Sequence, residues 1–269
     1  MNTWRILKLE INDAAMNMSI DEAILRTRLE GSVPNTLRFY KWKPSAVSIG
    51  RFQKLENEVI LENCRKLGID VVRRISGGGT VFHDESEVTY AVIAKTEDLG
   101  TKDVSKVYDR IYAAISEALR TIGISSDFSP GDAKNCPNLT VNGKKISGSA
   151  QAHKSGVVLQ HGTLLMEVNL LKMFTVLRVP WANNCMQVVN VAKGKITSVQ
   201  NELGHTLKPE TAINAIAHGF AVALNLQVVE NVQSLEDKLT PEEQALAKKL
   251  YREKYSTRDW NFEGKSTIG

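Results

Sequence analysis

Leu139-Thr140-Val141-Asn142-Gly143-Lys144-Lys145-Ile146 reads as two short strands joined by a two-residue turn. Asn-Gly suits a type I′ turn, because both central residues need positive φ. A second hairpin follows at once, turning at Ser155-Gly156 and returning as Val157-Val158-Leu159-Gln160. Consecutive hairpins build an antiparallel sheet, and the flanking chain supplies more of it. Trp4-Arg5-Ile6-Leu7-Lys8-Leu9 alternates with a strand period, and residues 37–42, 46–50, 71–76 and 88–93 are also strand-like. Helical patterns cover residues 17–29, 56–66, 104–122, 170–177 and 210–224, with a polar connection before the last of these. Thr240-Pro241-Glu242-Glu243 opens a further helix with a cap and a proline in the first turn. Strands outnumber a βαβ rhythm, so the expected class is α+β, a mainly antiparallel or mixed sheet flanked by helices.

A chain of 269 residues accommodates one large domain with an appendage. The main domain is expected over residues 1–230 and a C-terminal helical extension over 231–269. A composition of 42% hydrophobic and 24% charged residues describes an ordinary globular protein. The first ten residues lack an apolar signal core, and no apolar run approaches the ~20 residues of a membrane helix, so a cytoplasmic, membrane-free protein is expected. Cys64, Cys136 and Cys185 form no CxxC pair, which argues against a disulfide framework or structural zinc. A net charge of +4 permits an acidic protein partner. No dense basic tract with interleaved aromatics suggests nucleic acid.

Four segments carry candidate chemistry. Arg73-Arg74-Ile75-Ser76-Gly77-Gly78-Gly79-Thr80-Val81-Phe82-His83-Asp84 combines three glycines, which admit close backbone approach, with two guanidinium forks for anions. It is neither a P-loop nor a dinucleotide fingerprint. Its bland alternative is a strand end and turn beside solvated arginines. Lys144-Lys145-Ile146-Ser147-Gly148 places two lysines on a hairpin strand, where alternation turns only one toward a pocket; both could equally decorate an exposed hairpin. His161, in Gln160-His161-Gly162-Thr163, is either a pocket residue or a satisfied core histidine. Cys136 is either an acyl-accepting nucleophile near cations or an inert loop thiol.

Together these segments resemble the lipoate-protein ligase A family, within the wider biotin and lipoate ligase group. Asn17-Met18-Ser19-Ile20-Asp21-Glu22-Ala23 is similar to the family's first helix, and Leu37-Arg38-Phe39-Tyr40, Ser48-Ile49-Gly50 and Gln53 to its early strands. Arg73 to Asp84 resembles its glycine signature, Gly143 to Ala150 its lysine segment, and His161 to Leu165 a further motif. The resemblance implies a catalytic domain like those of biotin-protein ligases and class II aminoacyl-tRNA synthetases. It implies that lipoate attacks ATP, with magnesium, to give lipoyl-AMP, and that the lipoyl group then passes to a lysine of a lipoyl domain or glycine-cleavage H-type protein. Lys145 would be the catalytic residue. Arg73, Arg74, Ser76, Gly77, Gly78, Gly79, His83, Ser147, Gly148, His161 and Thr163 would bind the intermediate. No metal ligands are assigned; Asp132 is the nearest stand-in for the Asn-Asp pair that many ligases carry before the lysine hairpin.

The C-terminal accessory domain of long ligases is absent, so the resemblance also implies a separate accessory protein for activation. Its alternative is an octanoyltransferase that moves octanoyl from acyl carrier protein without ATP, with Cys136 as nucleophile. The uninterrupted three-glycine motif and the short spacing from Cys136 to Lys145 put the ligase first. A non-catalytic module that holds lipoyl domains, and a biotin ligase, are the remaining readings.

Overall fold

The computed structural model describes residues 4–131, 136–224 and 238–268. Asp132 and the expected boundary near Asn231 therefore lie outside the described residues. A seven-stranded sheet has the order β1 (Trp4–Asn12), β2 (Asn35–Trp42), β6 (Val88–Lys95), β10 (Val157–Leu164), β9 (Lys144–Lys154), β8 (Asn138–Val141) and β7 (Asp127–Ser129). Its first pair is parallel and the others antiparallel. A smaller sheet runs β4 (Asp70–Arg73), β3 (Ala46–Ile49), β5 (Val81–His83), parallel then antiparallel. The fold is thus α+β with mixed sheets flanked by helices. Both hairpin turns take positive φ where the sequence requires it, at Asn142 (49°) and Gly143 (75°), and at Ser155 (44°) and Gly156 (79°).

Helices cover both faces of the large sheet. Helix α4 (Val104–Thr121) is capped by the Asp103 carboxylate, which accepts from the N–H groups of Ser105 and Lys106. It lays Val107, Ile111, Ile115 and Leu119 on the sheet, beside Ile216 and Phe220 of α8 (Pro209–Ala223). On the other face lies α1 (Ala14–Glu30), started by the Asp13 side chain and ended by Gly31 at φ 80°. Both sides of α1 are covered, so it buries Asn17, Asp21, Glu22 and Arg28 along with Ile20 and Ile24. The helix α9 (Pro241–Leu250) begins with the Thr240–Glu243 capping box and packs on α1. Two π-helical turns, Tyr251–Tyr255 and Asp259–Glu263, continue it.

Two sequence expectations change. The helix expected over residues 56–66 is two short ones, α2 (Leu55–Glu58) and α3 (Leu61–Leu67). Extended Val59 separates them and bridges to Leu177. The polar connection after α5 (Leu170–Val176) contains α6 (Cys185–Ala192) and α7 (Val199–Leu203). Their linker braces the Lys145 hairpin: Lys145 N–H donates to Lys195 C=O at 2.8 Å, and Thr197 N–H donates to Lys145 C=O at 2.9 Å.

Candidate active site

Between the two sheets lies a cavity of about 360 Å³. Its walls include Met18, Tyr40 and Trp42 on one side, Ser48, Arg74, Gly78, Gly79 and His83 on another, and Lys145, Gly148, Ala150, His161 and Thr163 along β9 and β10; Cys136 lines it from the segment before β8. The three motifs that sequence reading separated therefore meet in one place. Lys145 lines the cavity and Lys144 does not, as strand alternation requires.

Lys145 is half-buried, with its side chain drawn back over Gly148: a Cβ built on Gly148 would lie 2.5 Å from Lys145 Nζ. A register shift between Leu139 and Thr140 in the β8–β9 ladder brings these positions together. Burial lowers the pKa of the Lys145 ammonium below its ordinary value; Cys136 opposes the shift and Arg74 adds to it. Cys136 is exposed and faces the glycine loop: a Cβ on Gly78 would meet its Sγ at 3.4 Å and the Cβ of Ala150 at 3.7 Å. A thiol with an ammonium and a guanidinium in one partly apolar cavity is a setting in which nucleophilic sulfur chemistry works.

The arginines depart from expectation. All five N–H donors of Arg74 are engaged inside the protein. Nε donates to Ser76 Oγ (3.0 Å), Nη1 to Ser48 O and Oγ (3.1 and 3.2 Å), and Nη2 to Gly77 O and Gly79 O (2.7 and 2.6 Å). Arg74 folds the glycine loop and contributes positive charge, and burial brings its pKa down to about 10. Arg73 does not reach the cavity. Its guanidinium donates to the carbonyls of Gly50, Arg51 and Gln53, and to those of Trp260, Asn261 and Phe262, locking the C-terminal segment onto β4. Ser76, Gly77 and Ser147 also stay behind the cavity wall. Gly50, quoted only as part of a strand motif, proves necessary: a Cβ there would come 2.1 Å from Gly78 O.

Two Ser–His–carboxylate chains converge on Arg74. In one, Ser48 Oγ lies 2.8 Å from His83 Nε2, and His83 Nδ1 lies 2.6 Å from Glu87. Trp42 stacks on that imidazole with ring centroids 3.9 Å apart. In the other, Ser76 Oγ lies 2.6 Å from His161 Nε2, and His161 Nδ1 lies 3.0 Å from Asp21. Asp21 also accepts from Arg38 (2.6 Å) and Tyr40 (2.9 Å). Burial raises the Asp21 pKa, but Arg38 and His161 outweigh it and the net shift is downward. His161, chiefly through burial, is also shifted down. It is therefore both a satisfied core histidine and a cavity wall. Sequence reading missed Glu87, Trp42 and Met18 as site residues. For Asp21, the available signal was a carboxylate with Met18, Ile24 and Leu25 as neighbours on its side of the helix.

Carboxylates that could hold magnesium are not found among the described residues of this wall. Among the described residues none of its members is acidic, and no group of three or more His, Cys, Asp or Glu side chains could hold a metal. The described donor set supplies no carboxylate for the ion, and Asp132, the acidic candidate of the sequence, lies outside the described residues.

This fold and cavity define the class. The chain matches the lipoyl protein ligase A/B catalytic domain over residues 13–221 and belongs to that family. An octanoyltransferase LipM of Brevibacillus brevis is 34% identical over 280 residues, covering 97% of this chain and 99% of the relative. The LipM octanoyltransferase of Clostridioides difficile is 35% identical over 276 residues, with coverage of 97% and 99%. Among solved structures, the bi-partite lipoate protein ligase of Thermoplasma acidophilum, described together with its E2 lipoyl domain, superposes with a TM-score of 0.83 at 28% identity over the full length of both chains. A lipoate-protein ligase A bound with ATP gives 0.81 at 28% identity, covering 96% of this chain and 98% of its own. The sequence relatives carry the transferase name, which was the alternative to the ligase expected first.

Among the described residues, no helix is long and apolar enough to cross a membrane.

Proposed function

We propose that this chain is an octanoyltransferase that moves an octanoyl group from a carrier-protein thioester to a lysine of a lipoyl domain or H-type acceptor. The observation that carries this reading is Cys136, exposed on a cavity it shares with Lys145. The relatives named octanoyltransferase, matched over nearly their whole length, support it.

The Cys136 thiolate adds to the donor carbonyl, the carbon–sulfur bond of the donor breaks, and the carrier thiol departs with a proton from Lys145. The product is an octanoyl thioester on Cys136. The acceptor lysine then attacks as a free amine, an amide forms, and the Cys136 thiolate leaves. Lys145, now neutral, takes the proton released by the amine and returns to its starting state. A lysine with a lowered pKa suits both roles, and its ammonium stabilises the oxyanion in each step. His83 and His161 hold the cavity wall through their carboxylate partners, and Met18, Trp42 and Ala150 offer apolar surface to the acyl chain.

Intact-mass measurement after incubation with octanoyl-carrier thioester tests this. A hydroxylamine-labile octanoyl adduct mapped to Cys136 is expected; an unmodified enzyme that still transfers the group would refute it.

A further inference from the structure

A second concave site lies beyond the glycine loop. Among the described residues, this cavity of about 350 Å³ is lined by Arg26, Arg51, Lys154 and Lys254 against one side-chain carboxylate, Glu22. Glu22 is already engaged: Arg26 binds one of its oxygens at 2.5 Å, and Lys254 (2.7 Å) and Tyr255 (2.5 Å) bind the other. The Arg51 guanidinium lies over the Trp260 ring, 4.6 Å from its centroid, and has no carboxylate partner among the described residues. The same is true of Lys154, which is exposed at the end of β9. A guanidinium over an aromatic ring and an ammonium on the same cavity rim, neither with a carboxylate partner among the described residues, form a receptor for an anion.

Strand β9 connects this site to the reaction cavity. Residues 148, 150, 152 and 154 share one face of the strand; Gly148 and Ala150 line the reaction cavity, and Ala152 and Lys154 line the second. Ala150, next to Gly78 and Cys136, is four residues from Lys154, or ~13 Å along an extended strand. The loop between the cavities lies flat on β9, with Gly77 N–H donating to Gln151 C=O at 3.3 Å. A pantetheine arm, comparable in length to four or five extended residues, spans on the order of 15 Å from thioester to phosphate.

We infer that the Arg51–Lys154 cavity binds the phosphate of a phosphopantetheine-type thioester donor while its acyl group enters the Cys136 cavity. The inference rests on the transferase reading and specifies how its donor is recognised. Carrier-linked and coenzyme-linked thioesters share this phosphate, and both are donors the site accepts.

The test compares acylation of Cys136 by octanoyl-pantetheine and by octanoyl-4′-phosphopantetheine. In wild type the phosphate raises kcat/KM about tenfold, mostly through KM, and inorganic phosphate competes only with the phosphorylated donor. Arg51→Gln and Lys154→Gln each abolish most of that preference and leave the phosphate-free rate unchanged. Lys154 is exposed, so its variant folds even if Arg51→Gln does not. Equal rates for the two donors in wild type, or a preference that survives in Lys154→Gln and Arg51→Gln, overturns the anion site alone. Failure of both donors to acylate Cys136 removes the transferase reading, and the anion site with it.

Discussion

Substituting Gly148 by alanine separates position from presence at Lys145, the proposed catalytic lysine. The added Cβ would lie 2.5 Å from Lys145 Nζ and 2.6 Å from Cε, whereas ordinary contact begins at 3.4 Å. The ammonium must therefore move by 0.9 Å (3.4 − 2.5). Moving it costs little stability, because it is the far end of a flexible side chain and Gly148 sits in a regular strand, paired with Thr163 and Asn138. A misplacement of about 1 Å at a catalytic group lowers turnover by ~10²-fold, equivalent to ~2.7 kcal/mol in the barrier. The assay is octanoyl transfer to a purified lipoyl domain, followed by mass, alongside thermal melting. The expected outcome is a ~10²-fold fall in kcat with a melting temperature close to wild type. A kcat within about threefold of wild type would show that the lysine's position is not critical, and the reasoning would fail.

Other perturbations address the surroundings. Gly50→Ala drives a Cβ to 2.1 Å from Gly78 O, which is backbone and cannot yield cheaply. It is expected to displace the glycine loop, with a stability loss of ~1–3 kcal/mol by denaturant titration and reduced Cys136 acylation. Asp21→Asn leaves the fully buried Arg38 with only the more distant carboxylate of Glu10, at 3.6 Å, and is expected to cost ~1–3 kcal/mol; an unchanged unfolding midpoint contradicts this. Arg73→Lys removes the fork that holds the carbonyls of residues 260–262, so limited proteolysis should cut the C-terminal segment sooner than in wild type.

The pH dependence of stability follows from His161. Its folded pKa is lowered, so on acidification the unfolded chain takes up the proton first. Stability from this group is present above its ordinary value of about 6.5 and declines as pH falls through that value toward the folded one. His161→Gln should flatten the urea midpoint between about pH 7 and 5.

The hairpins were legible because their signals are local. Asn142-Gly143 and Ser155-Gly156 state their turn conformations in the residue types themselves, and alternation lets only one of Lys144 and Lys145 face the cavity; the choice of Lys145 came from the family resemblance, and Lys145 is the one that lines it. The helix over residues 185–192 was not legible. Its pattern is short, and Met186 and Val191 lie exposed, so no apolar stripe stands out. The Arg73–Arg74 pair shows the limit for site residues. Its anion-binding chemistry is present in the side chains, but the fold directs both forks onto backbone carbonyls, which no spacing rule reveals. Asp21 and Glu87 are likewise placed by partners 140 and 4 residues away, and only the packed structure shows that each orients a cavity histidine.

The most direct test of the central claim is octanoyl transfer to a lipoyl domain with ATP omitted, in wild type, Cys136→Ser and Lys145→Ala. The account predicts transfer from the carrier thioester without ATP, abolished in Cys136→Ser and reduced by at least ~10³-fold in Lys145→Ala. Transfer that requires free acid and ATP and survives Cys136→Ser would contradict it and identify a ligase instead.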